Sequence, residues 1–234
     1  MNTPQLPHRL DLWQHTVGWQ PTVTQLQQFQ RLYELILTAN QHLNLTRITE
    51  PNDFWEKHLW DSIRGVVSTK AAALCASHPK SPRVIDIGTG AGFPGLPIAI
   101  AYPTWHITLV DSTRKKIAFV ERAIAELGLT NAYAIAERVE RLAAQPRYQA
   151  TYDLALVRAV ATVDRCVHYA LPMLHPSGMA VLYRGRWHPS DTTALQALAH
   201  ELGAYLAPPD QFTTPLTQSQ RCCLYLHKQP VVDP

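Results

Sequence analysis

The chain has 234 residues, of which 46% are hydrophobic and 17% charged, as expected of a globular protein with a substantial core. Its formal net charge of +3 permits an acidic partner such as RNA but does not require one. No apolar run approaches the roughly 20 residues of a membrane helix, the N-terminus has no signal-peptide pattern, and the cysteines and histidines lack metal-ligand spacing. These features argue against a membrane, secreted or metal-dependent protein and predict a cytoplasmic location.

The N-terminal third has the pattern of packed helices. Helices are predicted over residues 24–42, 51–60 and 62–76 from apolar spacing and from the proline that opens the second. Pro79 and Pro82 then mark a boundary. We therefore expect an N-terminal helical extension over residues 1–80, packed on a core of residues 81–234.

Beyond this boundary, strands alternate with helices. Short apolar runs predict strands at residues 84–87, 107–110, 132–136, 154–157, 179–183 and 222–227. A helix over residues 114–127 ends at Gly128, as helix C-termini commonly do. This alternation predicts an α/β fold in which a mostly parallel sheet is covered by helices on both faces.

The turn after the first predicted strand carries the main functional signal. Its glycines, Gly88, Gly90 and Gly92, allow a ligand to lie directly on the main chain, and the following helix adds free N–H groups. Asp111 ends the second strand, where a carboxylate can accept hydrogen bonds from both hydroxyls of a ribose. The strand, the glycines, the helix and this aspartate together predict a bound nucleoside cofactor.

The residues around the glycines indicate which cofactor binds. A dinucleotide fingerprint requires Gly-x-Gly-x-x-Gly, but here the sixth position is Phe93 and the third glycine, Gly92, comes one residue early. Asp86 can reach an ammonium group and would repel a pyrophosphate. The pattern Asp-x-Gly-x-Gly-x-Gly resembles the first motif of the class I S-adenosylmethionine-dependent methyltransferases. That resemblance implies S-adenosyl-L-methionine as the cofactor and a Rossmann-like, mostly parallel seven-stranded sheet.

Further motifs narrow the resemblance. In chain order they are Asn44-Leu45-Thr46, Glu50-Pro51, His58-Leu59-Trp60-Asp61-Ser62-Ile63, the glycine turn extended by Phe93-Pro94-Gly95, Arg138-Val139-Glu140 and Arg158-Ala159. From about Leu26 to Gly185 the chain resembles the bacterial small-subunit (16S) ribosomal RNA guanine-N7 methyltransferase family, also called the glucose-inhibited division protein B family. The resemblance implies methyl transfer to N7 of a guanine in 16S ribosomal RNA, either naked or in an assembling small subunit.

The turn and the resemblance together define a predicted cofactor site. It consists of Asp86, Gly88, Gly90, Gly92, Phe93, Asp111, Ser112, Thr113, Val139, Glu140 and Arg158. By resemblance, Phe93 contacts the methionine or adenosine part, Asp111 holds the ribose, and Val139 and Glu140 meet the adenine. The alternatives are core packing for Val139, a solvated helix face for Glu140 and a surface ion pair for Arg158.

Other residues are candidates for positioning the substrate. His58, Asp61 and Ser62 share one helix face, which either closes over the base or cofactor or forms a buried joint with the sheet. Asn44 is either a helix-end cap or a substrate contact, and Arg158 positions either the base or the cofactor carboxylate. No general base is expected, because N7 of guanine has no proton to lose.

Basic residues at the same edge of the sheet predict the RNA contact. Lys115 and Lys116 follow the second strand beside Arg114, and Arg184 and Arg186 follow the fifth. For the group at Arg114 the alternative is an ordinary solvated helix face. Three other functions remain open: a small-molecule methyltransferase on the same fold, a nicotinamide-dependent oxidoreductase, and an RNA-binding nucleotide sensor without catalysis.

Overall fold

A mixed β-sheet forms the centre of the protein in the computed structural model, which describes residues 4–67 and 81–230. Its strands are β1 Arg83–Ile87, β2 His106–Asp111, β3 Ala132–Ala136, β4 Tyr152–Arg158, β5 Leu174–Arg184, β6 Ala204–Leu206, β7 Asp210–Thr213 and β8 Gln220–Lys228. The order across the sheet is β3-β2-β1-β4-β5-β8-β6, with β7 also paired to β8. Strands β1 to β5 are parallel and β8 is antiparallel to β5, so the predicted α/β sheet is confirmed.

The sheet has one strand more than predicted because its outer edge is split. Strand β6 pairs with the end of β8 and β7 pairs with the start of the same strand, so the two short strands lie end to end. Pro208 and Pro209 separate them, and proline has no N–H to continue a ladder. The sheet is therefore seven strands wide, as expected, but contains eight strands.

The helices follow the predicted pattern with two exceptions. They are α1 Leu10–Val17, α2 Val23–Leu43, α3 Pro51–Phe54, a π-helix Trp55–Trp60, α4 Asp61–Val67, α5 Gly95–Ala101, α6 Arg114–Glu126, α7 Val139–Ala143, α8 Val163–Ala170 and α9 Pro189–Glu201. Helix α1 was not predicted, and the second and third predicted helices form one uninterrupted run over residues 51–67. The predicted remainder of the third helix, residues 68–76, lies outside the described residues.

Helices cover both faces of the sheet, and alternate strand residues enter opposite layers. Val84 packs with α1 to α6, whereas Ile85 packs with α7 to α9. None of the described helices combines the length and apolarity needed to span a membrane. The predicted division at residue 80 falls at the edge of the undescribed range 68–80 and stays a prediction.

Helix α1 fixes the position of the π-helix. Trp13 of α1 is fully buried, with its ring 5.0 Å from that of Trp55 and 6.3 Å from that of Phe29. The side-chain amide of Gln25 on α2 donates to the carbonyl of Ile100 at 2.9 Å, at the end of α5. The N-terminal helices are thus anchored to the layer that follows β1, and they carry the π-helix to the carboxyl edge of the sheet.

Candidate functional site

A cleft of about 560 Å³ opens at the carboxyl ends of β1, β2 and β4. Ligands of parallel sheets bind at this edge, where the connections to the following helices diverge. The lining comprises Leu45, Thr46 and His58 from the N-terminal segment, residues 87–91 and Phe93 of the turn, residues 110–113 and Lys116, residues 137–140, residues 158–160, and Tyr169. The cleft therefore gathers most of the predicted cofactor site.

The glycine turn adopts backbone conformations that other residues rarely take. Gly88 has φ 71°, and a Cβ built on it would lie 2.4 Å from Val160 Cγ2 in the loop after β4. Gly92 has φ 96° and packs against Leu96 of α5, so it shapes the turn without lining the cleft. A Cβ on Gly90 would approach nothing closer than 4.0 Å, so this glycine faces open space. Gly88 and Gly90 thus form the backbone floor on which a ligand can lie.

Asp86 lies beneath the turn and does not line the cleft. Its Oδ2 accepts hydrogen bonds from the Thr89 hydroxyl at 2.5 Å and from the Gly95 N–H at 2.8 Å, while Oδ1 is buried without a partner among the described residues. Burial raises the pKa of this carboxyl to about 6. The carboxylate therefore holds the turn from beneath, and its contact with a cofactor ammonium group stays a prediction.

Asp111 joins the turns that follow β1 and β2. Its Oδ2 accepts the N–H of Gly90 at 3.0 Å and its Oδ1 accepts the N–H of Thr113 at 2.8 Å. A carboxylate offers about four acceptor positions, so each oxygen keeps capacity for a ligand. Ser112 and Thr113 also line the cleft, as predicted for the neighbours of a ribose-binding residue.

Glu140 and Tyr169 form a hydrogen-bonded pair at the far end of the cleft. The Tyr169 hydroxyl donates to Glu140 Oε1 at 2.9 Å. The backbone N–H of Glu140 and this hydroxyl lower the pKa of Glu140, so its side chain stays an ionised acceptor. Val139 beside it lines the cleft and also packs against the core. Tyr169 was missed in the sequence because α8 belongs to a separate layer and carries no motif.

His58, Phe93 and Arg158 form a cluster on the opposite wall. The His58 and Phe93 rings stack with centroids 4.2 Å apart, and Arg158 Nη2 donates to His58 Nδ1 at 3.2 Å. Because a guanidinium only donates, Nδ1 must accept and the protonated Nε2 donates to the Thr46 hydroxyl at 2.9 Å. Burial and the charge of Arg158 lower the pKa of His58 well below its usual value. The imidazole is therefore neutral.

Arg158 also ties the end of β4 to the helical run over residues 51–67. Its Nη1 donates to the Lys57 carbonyl at 2.9 Å and to Asp61 Oδ2 at 3.3 Å. The three residues of the predicted helix face have separate positions: His58 lines the cleft, Asp61 lines a neighbouring pocket, and Ser62 is buried and donates to the His58 carbonyl. This helix face therefore packs against the end of β4 and also presents the His58 side chain to the cleft.

Asn44 ends helix α2 and does not line the cleft. Its φ of 48° places it in the left-handed conformation found at helix C-termini. Leu45 and Thr46, which follow it, do line the cleft. The structure therefore supports a helix-end role for Asn44. The other two residues of the Asn44-Leu45-Thr46 motif are the ones that line the cleft.

The predicted RNA-contacting residues divide between two cavities and the surface. Lys116 lines the cleft, whereas Lys115 is exposed outside it. Arg184 and Arg186 line a neighbouring pocket of about 350 Å³, which also contains Arg221. Arg221 was missed because the sequence after Gly185 carries no recognised motif. No cluster of three potential metal ligands occurs among residues 4–67 and 81–230.

The comparisons with known proteins agree on one family. A family model described as rRNA small subunit methyltransferase G matches residues 25–207. The ribosomal RNA small subunit methyltransferase G of Trichormus variabilis is 54% identical over 226 residues, 97% of this chain and 91% of that protein. The protein of the same name from Microcystis aeruginosa is 50% identical over 228 residues, 96% of this chain and 99% of that protein.

Solved structures share the fold at low sequence identity. The [4+2]-cyclase SpnF matches with a TM-score of 0.57 and 14% identity, covering 89% of this chain and 97% of that one. TYW2 of M. jannaschii, in complex with AdoMet, matches with a TM-score of 0.51 and 11% identity, covering 70% of this chain and 75% of that one. These likenesses confirm the class I methyltransferase fold but not a reaction. The family model and the relatives go further, and by them the chain belongs to the rRNA small subunit methyltransferase G family.

Proposed function

We propose that this protein transfers a methyl group from S-adenosyl-L-methionine to N7 of a guanine in 16S ribosomal RNA. The observation that carries the proposal is the cleft at the carboxyl edge of the sheet, in a chain whose relatives are named for small-subunit ribosomal RNA methylation. A substrate of this kind, as naked RNA or in an assembling small subunit, is consistent with the predicted cytoplasmic location.

The residues of the cleft fit the chemical groups of the cofactor. Asp111 retains acceptor capacity for the two ribose hydroxyls, because each oxygen holds only one backbone N–H. Glu140 is an ionised acceptor suited to the exocyclic amine of adenine, with Val139 as an apolar wall. Gly90 leaves the backbone open to close approach, and Gly88 lines the cleft beside it. When bound, S-adenosylmethionine supplies an electrophilic methyl group on a sulfonium.

The reaction requires alignment rather than proton removal. Guanine N7 carries an in-plane lone pair and no proton at neutral pH, so no base is needed before it attacks the methyl group. His58 agrees with this requirement, because its Nδ1 already accepts from Arg158 and its Nε2 already donates to Thr46. Holding the reacting atoms in line can supply several kcal/mol of the barrier. Arg158 is the positioning candidate, since it lies at the junction of the cleft and the neighbouring pocket.

Basic side chains around the two cavities support an RNA substrate. Lys116 lies at the cleft, and Arg184, Arg186 and Arg221 lie at the neighbouring pocket. RNA affinity comes largely from neutralising phosphates, which a local positive rim does more effectively than a mildly positive net charge. Lys115 is exposed beside Lys116 and remains a predicted contact.

Methyl transfer to 16S ribosomal RNA tests the proposal directly. The protein should transfer radiolabelled methyl groups to 16S ribosomal RNA, or to small subunits, from cells that lack its gene. The modified nucleotide should map as N7-methylguanine by reduction and strand cleavage followed by primer extension. RNA from cells that contain the gene is the matched control and should accept few methyl groups. A protein that binds the cofactor but labels neither RNA nor subunits would contradict the proposal and favour a small-molecule substrate.

A further inference from the structure

A second pocket lies beside the cofactor cleft and shares a wall with it. Its volume is about 350 Å³, within the roughly 300–1,000 Å³ typical of small-molecule sites. Arg158 and Ala159, at the end of β4, line both cavities. A group bound in the second pocket therefore lies next to the cofactor cleft, and Arg158 and Ala159 stand at the junction of the two cavities.

Among the described residues that line this pocket, Asp61 is the one carboxylate. Its Oδ2 accepts from Arg158 Nη1 at 3.3 Å, but its Oδ1 has Arg221 Nε at 3.7 Å, beyond hydrogen-bond distance. Among the described residues, no donor is hydrogen-bonded to Oδ1. Asp61 is only 7% exposed, and its ion pairs with Arg158 and Arg221 leave Oδ1 with acceptor capacity for a further donor. A ligand that donates to this oxygen would form a charge-assisted hydrogen bond.

We propose that this pocket holds the target guanine and that Asp61 Oδ1 recognises the donors on its Watson–Crick edge. The inference rests on the proposed function and names the base-binding site for it. Guanine presents acceptors, N7 and O6, on one edge and the 2-amino donor on another, with N1–H beside it. A carboxylate can only accept, so it can pair with both N1–H and the 2-amino group of guanine, whereas adenine offers a single donor group, its 6-amino group, beside the acceptor N1.

The surrounding charges fit a nucleotide drawn out of an RNA strand. Arg184, Arg186 and Arg221 line the same pocket and can neutralise the phosphates on either side of the base. Enzymes that modify a base bring it into a pocket and read its Watson–Crick edge by hydrogen bonds. With that edge at Asp61, the opposite edge, which includes N7, is free to face the cofactor side.

Inosine tests the contact, because it differs from guanosine only by lacking the 2-amino group. We expect the wild-type protein to methylate 16S ribosomal RNA carrying inosine at the mapped position at least about tenfold less efficiently than RNA carrying guanosine, since a charge-assisted bond is lost. In Asp61→Asn and Asp61→Ala the ratio of the two efficiencies should fall toward one. Both RNAs are measured on one preparation, so any change in the folded fraction cancels from the ratio.

Asp53→Asn is the matched control. Asp53 lies on the same helical run but pairs with Lys57 at the surface, at 2.9 Å, so this variant should keep the wild-type ratio. Calorimetry should show that Asp61→Asn still binds the cofactor, because Asp61 does not line the cleft and Arg158 keeps its hydrogen bonds to the Lys57 carbonyl and to His58. A wild-type protein that does not distinguish inosine from guanosine, or a ratio unaltered in both Asp61 variants, would overturn the inference. Absence of methylation on guanosine RNA by the wild type would instead overturn the proposed function and this inference with it.

Discussion

Replacing Asp111 with alanine should weaken cofactor binding strongly while leaving the fold intact. Asp111 is the residue that joins the turns after β1 and β2, and its two oxygens accept the N–H groups of Gly90 and Thr113. The remaining acceptor positions are those available to the ribose hydroxyls. Alanine removes these acceptors and also releases the Gly90 N–H from its partner.

The magnitude follows from the value of one hydrogen bond to a charged group. Such a bond contributes about 1.5–3 kcal/mol, and since 1.4 kcal/mol corresponds to tenfold in affinity, losing one weakens binding about tenfold to a hundredfold. Asp111→Asn keeps one side-chain oxygen and should lose less than Asp111→Ala. Calorimetric titration with S-adenosylhomocysteine measures both, and thermal melting checks that each variant is folded.

A ligand lacking the ribose 2′-hydroxyl distinguishes a direct contact from an indirect one. If Asp111 binds the ribose, removing this hydroxyl should cost the wild-type protein much more affinity than it costs Asp111→Ala. Equal losses in both proteins, or an unchanged dissociation constant in a folded Asp111→Ala variant, would refute the ribose role. The carboxylate would then serve only to hold the two turns together.

Three further changes probe the glycine turn, the basic pocket and His58. Gly88→Ala should weaken cofactor binding and destabilise the fold, because the added Cβ meets the loop after β4 and the residue has a positive φ. Gly128 also has a positive φ but faces open space, so Gly128→Ala should cost only about 1–2 kcal/mol of folding free energy and keep cofactor binding. Arg184→Glu with Arg186→Glu should weaken RNA binding and flatten its salt dependence while calorimetry finds unchanged cofactor affinity; an unaltered salt slope would contradict this contact. The rate of single-turnover methylation should be nearly independent of pH from about pH 7 to 8.5. A steep rise in this rate with pH in the wild type, absent in His58→Gln, would show that His58 is a general base. Since burial lowers the pKa of His58, the unfolded chain takes up a proton below about pH 6.5 that the folded protein does not, so the free energy of unfolding should fall with acidification more in the wild type than in His58→Gln.

Local patterns were sufficient for the main elements of the sheet and for the turn. The six predicted strands are present, since each is a short apolar run bounded by residues that interrupt it. The positive φ angles of Gly88, Gly90 and Gly92 follow from a residue type that tolerates them. Asp111 is placed by the end of its strand, two positions before Thr113, whose N–H it accepts. Each of these inferences depends on neighbours within a few residues.

Structural features that depend on contacts between distant residues could not be predicted from local patterns. The π-helix and helix α1 leave no distinct local pattern, and Pro208-Pro209 alone does not show that β6 and β7 both pair with β8. Asp86 was expected to face the ligand, but the packing of α5 on β1 brings the Gly95 N–H to its carboxylate and keeps it beneath the turn. Tyr169 reaches Glu140 across 29 positions of the chain, and neither residue predicts the other.

The sequence by itself determined the class of fold, the glycine turn and the family, because strand periodicity, glycine content and motif order are properties of short segments. Only the tertiary structure decided which side chains come together around the cleft and the neighbouring pocket. Arg158 meets His58 across 100 positions, and Arg221 approaches Asp61 from the last strand of the sheet. Those contacts exist because the N-terminal helices, β4 and β8 are packed into one edge of the sheet. The side chains of the base pocket are therefore brought together by the packing of these elements, which no local sequence pattern encodes.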